Sequence, residues 1–449
     1  MTLTAGDLHW VRDRRPLTDL PVSGDPLRFP GYREQLARAE ERSGAGDSVT
    51  PLRATIAGRR TMVALFDFAF LGGSMGEATG RRLELAIDAA RTERLPLVTI
   101  TASGGARMQE GMHALVQMQR VAGALQRLRA AGVPHLNVAL HPTTGGVWAS
   151  MASAADVIVA VEGATVAFAG ARVRGVASDG VEFTALGKLD AGAVDVVVDP
   201  DELEAVVGAY VRAMSAVLAT DPVRCPPPDA LPGADRQADG WDAVQLARSP
   251  DLPRADDYLA AEFEQTVELV GDRVSGRDLG MRCGIGLRDG NAVAFVAQTG
   301  TANTPAGFRT ATRVLRMADR WQIPVLTLID TPGARNDARA EREGLGTAIA
   351  ETFAAMAEVQ VPVTSLVVGE GGSGGALAIA SPGHLWAVPS SCFSVIAPEG
   401  AAAILHRDRG RAPEIAEQLA LAPADLLAHG IIRGIVEPAT SRSGQGVVA

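Results

Sequence analysis

Apolar and polar positions change rhythm along this chain, and the changes divide it into segments of different kind. The first fifty residues are polar and punctuated by Pro and Gly, with one stretch, Tyr32 to Ser43, that reads as a short helix. From Thr61 the pattern predicts a strand from Met62 to Phe70 and a Gly-rich turn at Gly72, Gly73 and Gly76. A helix through Ala90 and a second apolar strand, Leu95 to Thr101, follow. Strand and helix then alternate. Between Asp221 and Gly240 the periodicity lapses into Pro222, Pro226, Pro227, Pro228 and Pro232, the composition of a linker. The expected organisation is an N-terminal extension over 1–50, a domain over 51–220, a Pro-rich linker over 221–255 and a second domain over 256–440.

The two halves repeat one another, which fixes the architecture before any detail is known. In the first, Leu97-Val98-Thr99-Ile100 runs into Ser103-Gly104-Gly105-Ala106-Arg107, a helix, the strand Leu136 to Leu140, and Thr144-Gly145-Gly146-Val147. In the second, Val325 to Ile329 runs into Thr331-Pro332-Gly333-Ala334-Arg335, a helix, the strand Val361 to Val368, and Ser373-Gly374-Gly375-Ala376. Gly105 and Gly146 lie 41 positions apart, and Gly333 and Gly375 lie 42 apart. Two copies of one α/β domain are expected.

Composition narrows the functions open to such a protein. With 449 residues there is length for two or three domains with real cores, and 47% apolar against 21% charged residues argues for a folded chain. The formal charge of -10 disfavours a sequence-independent grip on nucleic acid, which rests on neutralising phosphates. Cys225, Cys283 and Cys392 are too few and too far apart for a disulfide framework or a zinc knuckle, so no metal is expected. Lys188 is the only lysine, which leaves no other position for Schiff-base chemistry. No signal-like or membrane-length apolar run is present, and a cytoplasmic protein is expected.

Glycine at the carboxyl end of an apolar strand, directly before a helix, suits the stabilisation of negative charge. Unpaired N–H groups and the positive end of the helix dipole lie there, and Gly allows an oxygen to approach the backbone. Should the two turns of a copy converge, the N–H groups of Gly105/Ala106 and Gly146/Val147 would form one oxyanion hole, and those of Gly333/Ala334 and Gly375/Ala376 a second. Each single Gly-Gly pair also reads as a plain βα turn. A phosphate loop is the other reading of Gly369-Glu370-Gly371-Gly372-Ser373-Gly374-Gly375, but no Gly-Lys-Ser/Thr follows and Glu370 would repel phosphate.

Longer motifs carry a resemblance. Phe66-Asp67-Phe68-Ala69-Phe70-Leu71-Gly72-Gly73-Ser74-Met75-Gly76 and Ser103 to Glu110 resemble the β subunit of the bacterial acetyl-CoA carboxylase carboxyltransferase. Ile329 to Ala334, Gly369 to Ile379 and Ser394 to Gly400 resemble its α subunit, so the chain resembles a β-α fusion from about Asp25 to about Pro438. The resemblance implies an α/β fold of two tandem crotonase-like ββα-superhelix domains. It implies carboxyl transfer from carboxybiotin to the α-carbon of an acyl-CoA, acetyl-CoA or a related short one, with no side-chain base. It further implies that Gly105 and Ala106 face the acyl-CoA enolate oxygen and Gly375 and Ala376 the ureido oxygen of biotin, with Gly146 and Gly333 completing the two holes. Gly104, Arg107, Gly145 and Gly374 are the substrate-binding residues it points to. Biotin would arrive on a separate biotin carboxyl carrier protein charged by a separate biotin carboxylase, since the chain has no Met-Lys-Met site and no ATP-grasp domain. A homodimer or larger oligomer is implied as well.

Around these turns, Glu370 and Glu399 are expected to brace the Gly segments, Glu110 to serve the first turn of its own helix, and Asp330 to cap a turn. Arg107 could clamp a phosphate or carboxylate, but an Arg at a helix start more often holds a neighbouring loop by hydrogen bonds. His141 stands where the family usually has Asp and is taken as structural, while Trp148 could line an acyl pocket or a buried helix face. Three departures are plain: no zinc ribbon precedes the first domain, Arg335-Asn336-Asp337-Ala338-Arg339 replaces a Tyr-Pro-Gly segment, and the carrier functions are absent. A malonyl-thioester decarboxylase, a crotonase-like hydratase or isomerase, and a non-catalytic carrier-binding protein are the rival readings.

Overall fold

The computed structural model describes residues 7–170 and 180–439, in two compact units. The first runs to Thr220 and includes Arg273–Arg277; the second comprises Asp221–Asp272 and the chain from Asp278 onward. Residues 1–6 of the N-terminal extension and residue 440 of the second expected domain lie outside the described residues.

The first unit is built on a sheet of eight strands: β1 (Arg12–Pro16), β2 (Val49–Ile56), β3 (Arg59–Phe66), β4 (Leu97–Ser103), β5 (His135–Thr144), β6 (Val157–Val161), β7 (Val166–Ala167) and β8 (Val196–Val198). Their spatial order is β1-β2-β3-β4-β5-β6-β8, with β7 added to β5. The second unit repeats this with β9 (Gln265–Glu268), β10 (Met281–Arg288), β11 (Asn291–Gln298), β12 (Val325–Thr331), β13 (Val363–Gly372), β14 (Leu385–Ala387), β15 (Cys392–Ser394) and β16 (Gly434–Ile435). Its order is β9-β10-β11-β12-β13-β14-β16, with β15 added to β13. In both units an antiparallel hairpin feeds a parallel set, and the register between the two central strands slips at the same place, Thr101/Ser103 in one and Ile329/Thr331 in the other.

Local chemistry explains why these strands form. Leu97 to Ser103 and Val325 to Thr331 are buried at every position, as befits central parallel strands covered on both faces. The helices that cover them start on clear signals: Thr304 accepts a hydrogen bond from Gly307 N–H, Pro305 takes the first helical position, and the helix runs to Trp321. The strand expected over Met62 to Phe70 ends at Phe66, because Leu71–Gly73 turns as a short 3₁₀ helix with positive φ at Leu71, Gly72 and Gly73. The helix expected at Tyr32 to Ser43 is present over those residues.

The segment expected as a linker is corrected by its packing. Cys225, Ala230 and Ala234 are buried in the core of the second unit with Phe295, Leu328 and Leu366, so the segment is packed even though Pro222, Pro226 and Pro232 are exposed. Residues 240–247 form a helix whose Ala243, Val244 and Ala247 pack against Cys392 and Ala416. Proline suits such an ordered, irregular path because its fixed φ reduces the freedom lost on folding.

One buried titratable group in the first sheet carries a pH dependence. His135 is 4% exposed, and its ring Nε2 lies 2.9 Å from Thr99 Oγ1. Burial pushes its pKa down to about 4, against the weaker opposing charge of Asp156. The folded protein thus keeps it neutral while the unfolded chain binds a proton below about pH 6.5, so its contribution to stability is intact above pH 6.5 and lost as pH falls towards 4. The loss reaches about 3 kcal/mol by pH 4. The fall in urea midpoint between pH 7 and pH 4.5 should be smaller in His135→Gln than in the unsubstituted chain, and an equal fall in both would contradict this account.

Candidate functional site

Each unit brings its two glycine turns into backbone contact. In the first, a Cβ placed on Gly145 would lie 2.7 Å from Gly105 Cα, and one on Gly105 would lie 3.2 Å from Gly145 Cα. Both residues hold positive φ, 108° and 68°, which glycine adopts at no steric cost. In the second unit a Cβ on Gly375 would lie 2.6 Å from Ala334 N, one on Gly372 would lie 2.2 Å from Pro332 C, and Gly333 has φ 131°. A methyl group at Gly145, Gly372 or Gly375 would therefore force the turns apart. Gly374 differs from its neighbours, with nothing within 4 Å of a Cβ.

The direction of each amide follows from its partners. Gly104 N–H donates to Gly72 O at 2.9 Å, and Gly105 N–H to Ser103 Oγ at 3.1 Å. Gly333 N–H likewise donates to Thr331 Oγ1 at 3.1 Å. These three amides are occupied, which corrects the expectation that Gly105 itself offers a donor: its role is conformational. The next amides, Ala106 and Ala334, have no partner among the described residues, and the carbonyls of the same peptides are anchored from behind. Gly105 O accepts from Met75 N–H at 2.8 Å and Gly333 O from Asn303 N–H at 3.2 Å. Beside them start the short helices Gly145–Ser150 and Ser373–Leu377, whose first-turn N–H groups lack helical acceptors. Gly146 and Ala376 are buried, whereas Ala106 and Ala334 are partly exposed.

The charged residues near these turns serve as braces. Arg107 is 1% exposed, so it is not at the mouth of the first turn where substrate binding would need it. Its guanidinium donates to Ser74 O at 2.7 Å and Ser23 Oγ at 2.7 Å, pairs with Asp47 at 3.3 Å and Glu110 at 3.2 Å, and lies over the Phe70 ring at 5.3 Å. Burial alone would raise the Asp47 carboxyl, but the Arg107 charge and hydrogen bonds from Ser23 and Thr79 outweigh it and hold Asp47 below the usual carboxylate range. Glu110 does not serve its own helix. It accepts from Tyr32 Oη at 2.6 Å and from Glu77 N–H at 2.6 Å, so it caps the helix Glu77–Glu93.

In the second unit two arginines from the corrected linker segment do the bracing. Arg248 forks onto Glu370 at 2.7 and 2.9 Å and reaches Glu399 at 2.6 Å. Arg254 reaches both oxygens of Asp330, at 3.1 and 3.2 Å. Burial pushes the Asp330 carboxyl up to about 6 despite Arg254, and its Oδ1 accepts Glu370 N–H at 3.2 Å. Asp330 thus ties the end of β12 to the end of β13 rather than capping a turn. Sequence reasoning passed over Arg248 and Arg254 because they lie in Pro-rich surroundings far from every motif.

The remaining candidates are structural. His141 accepts from Thr165 N–H at 3.2 Å, and burial lowers its pKa. Trp148 packs with Ala139, Ile158 and Val166 in a core cluster, the second of its two expected settings. Asp337, in the segment that departs from the family pattern, caps the helix Ala338–Arg342 through Arg339 and Ala340 N–H at 3.0 and 2.8 Å. All three cysteines are buried and free, and burial pushes the Cys392 thiol up to about 12.

Comparison with known proteins agrees with the duplicated geometry. Residues 29–217 match the carboxyl transferase domain family, and residues 235–445 match the acetyl co-enzyme A carboxylase carboxyltransferase-like family. The chain is 40% identical to the acetyl-coenzyme A carboxylase carboxyl transferase subunits beta/alpha of Salinispora tropica, over 97% of this chain and 80% of that protein. It is 34% identical to the probable biotin-dependent acyl-coenzyme A carboxylase beta3 subunit of Mycobacterium bovis, over 95% of this chain and 88% of that protein. The fold is similar to that of transcarboxylase 12S, solved as a hexamer with methylmalonyl-coenzyme A bound, at a TM-score of 0.75 and 21% identity over 97% of this chain and 87% of that one. It is also similar to a single-chain, multi-domain long-chain acyl-CoA carboxylase, at a TM-score of 0.73 and 18% identity over 97% of this chain and 44% of that one. The chain therefore belongs to the carboxyltransferase family of biotin-dependent acyl-CoA carboxylases, with β-like and α-like crotonase-fold domains in tandem.

Proposed function

We propose that this protein moves a carboxyl group between biotin and the α-carbon of a short acyl-CoA, acetyl-CoA or a close relative, with the thioester on the first unit and the biotin ring on the second. The observation that carries this reading is the duplicated backbone closure beside a helix start, with Ala106 and Ala334 N–H lacking partners among the described residues. In the first unit Ala106 and Gly146 N–H hold the thioester oxygen as negative charge builds on it. Such donors stabilise an enolate by roughly 3–4 kcal/mol each where removal has been measured. In the second unit Ala334, Gly375 and Ala376 N–H face the ureido oxygen. The second turn fits a neutral ring carrying a partial negative oxygen, because its flanking carboxylates, Glu370 and Glu399, are both held by Arg248.

Carboxybiotin, on a separate carrier protein charged by a separate biotin carboxylase, supplies the carboxyl group. The chain's own part is to bind, to orient, and to lower the energy of the enolate. Met108 and Met112, 85% and 63% exposed beside the first turn, and Leu377, 47% exposed on the second helix, offer apolar surface that a second copy of the chain covers in a homo-oligomer.

Transfer of labelled carboxyl groups between biotin and a panel of acyl-CoAs tests the reading. The unsubstituted protein should exchange label only with biotin present. Gly375→Pro, which removes a donor, and Gly145→Ala, which pushes the first turn apart, should each lose about a hundredfold or more. Turnover of malonyl-CoA indifferent to biotin would make the protein a decarboxylase, and no turnover at all would sink the proposal.

Arg107 should respond differently. Arg107→Met leaves Asp47 and Glu110 buried without their cation, at a cost of about 3–5 kcal/mol. Thermal denaturation should show that loss, whereas an unchanged melting temperature with a raised KM for acyl-CoA would restore Arg107 to substrate binding.

A further inference from the structure

The helix Ser373–Leu377 is too short to satisfy its own carbonyls, and one of them lies in the peptide that carries the Ala376 amide. Gly374 O receives Ala378 N–H at 3.0 Å, but no N–H from Ile379 reaches Gly375 O. The bond comes instead from a side chain: Gln298 Nε2, at the last position of β11, donates to Gly375 O at 2.9 Å. Gln298 is 0% exposed, and its Oε1 has no protein partner among the described residues, so this bond is what fixes the amide.

The peptide between Gly375 and Ala376 is planar and trans, so its C=O and N–H point in opposite directions. A donor that pins the oxygen therefore aims the hydrogen. A hydrogen bond to the carbonyl also polarises the amide and strengthens its N–H as a donor. The peptides at Gly105–Ala106 and Gly333–Ala334 are pinned too, Gly105 O by Met75 N–H and Gly333 O by Asn303 N–H and the Thr331 hydroxyl, while Gly146 O, the counterpart of Gly375 O, accepts from Ser150 Oγ at 2.7 Å. Gln298 differs in coming from another strand, 77 positions away, so it can be replaced without altering the turn itself. We infer that Gln298 is a positioning residue that orients and polarises the Ala376 amide for the carboxyl transfer; this rests on the reading of the second turn as the biotin oxyanion site.

The test uses the full chain with free biotin and the acyl-CoA that the exchange assay selects, comparing Gln298→Glu and Gln298→Met with the unsubstituted protein from pH 6 to pH 8.5. At pH 8.5 both variants should lose kcat by about tenfold or more, a part of the hundred- to thousandfold that removal of an oxyanion donor costs, while KM for acyl-CoA, which binds on the other unit, stays within about twofold. A carboxylate cannot donate to Gly375 O, but a buried carboxylic acid can, and burial raises its pKa. The ratio of Gln298→Glu to unsubstituted activity should therefore climb as pH falls, while that of Gln298→Met stays flat. Equal activity of both variants with the unsubstituted protein, or a loss in both that does not change with pH, would overturn the inference. If the glutamate variant fails to fold, a methionine variant with full kcat overturns it alone. Absence of biotin-dependent exchange in the unsubstituted protein would instead sink the underlying assignment, and the inference with it.

Discussion

In each unit two turns of backbone pass so closely that only glycine fits between them, and the proposed chemistry follows from that approach. Gly145 meets Gly105, and Gly375 meets Ala334, at distances where a single Cβ would be an overlap. Glycine is required there for space and, at Gly105, Gly145 and Gly333, for φ between 68° and 131°. Closure of the two turns carries amides from strands about forty residues apart in sequence to one place. In the proposed role such backbone amides carry their N–H at every working pH, so they need neither a protonation step nor reorganisation when charge develops.

Such closure needs rigid support, and the two units supply it with different residues on the same plan. The first turn is held by a buried cluster in which Arg107 gathers Asp47, Glu110, Ser74 and Ser23, and the second by Arg248 and Arg254, which hold Glu370, Glu399 and Asp330. A buried ion pair is weak evidence of stability, since desolvation costs much of what the charges gain. Its value here is geometric: the hydrogen-bond fork of an arginine ties several loops to fixed relative positions. The same constraint explains why both β12 and β4 end in a hydroxyl residue two positions before the key glycine, since Thr331 and Ser103 each take up the amide that would otherwise compete.

Much of the fold was legible because it is written twice. The apolar strands ending at Ser103 and Thr331 and the matched glycine spacing required two copies of one α/β domain, and the motifs of both halves resembled a known carboxyltransferase. The helix at Tyr32–Ser43 was readable from its local pattern alone. The prolines between 221 and 240 misled, because composition reports the freedom of a segment only when nothing packs on it, and here Cys225, Ala230 and Ala234 are drawn into a core.

The sequence by itself determined which residues stand at strand ends, where backbone must pass closely, and which chemistry those positions suit, since these depend on local properties of glycine and on the spacing of apolar runs. Only the tertiary structure decided how the carbonyls behind the Ala106 and Ala334 amides are anchored, since Met75 N–H and Asn303 N–H reach Gly105 O and Gly333 O from about thirty positions away. It also decided that Arg107 is a brace, that Glu110 caps a helix beginning at Glu77, and that Gln298 reaches Gly375 across 77 positions. Each of these is a long-range hydrogen bond, and a hydrogen bond depends on the positions of both partners, of which a local pattern reveals only one.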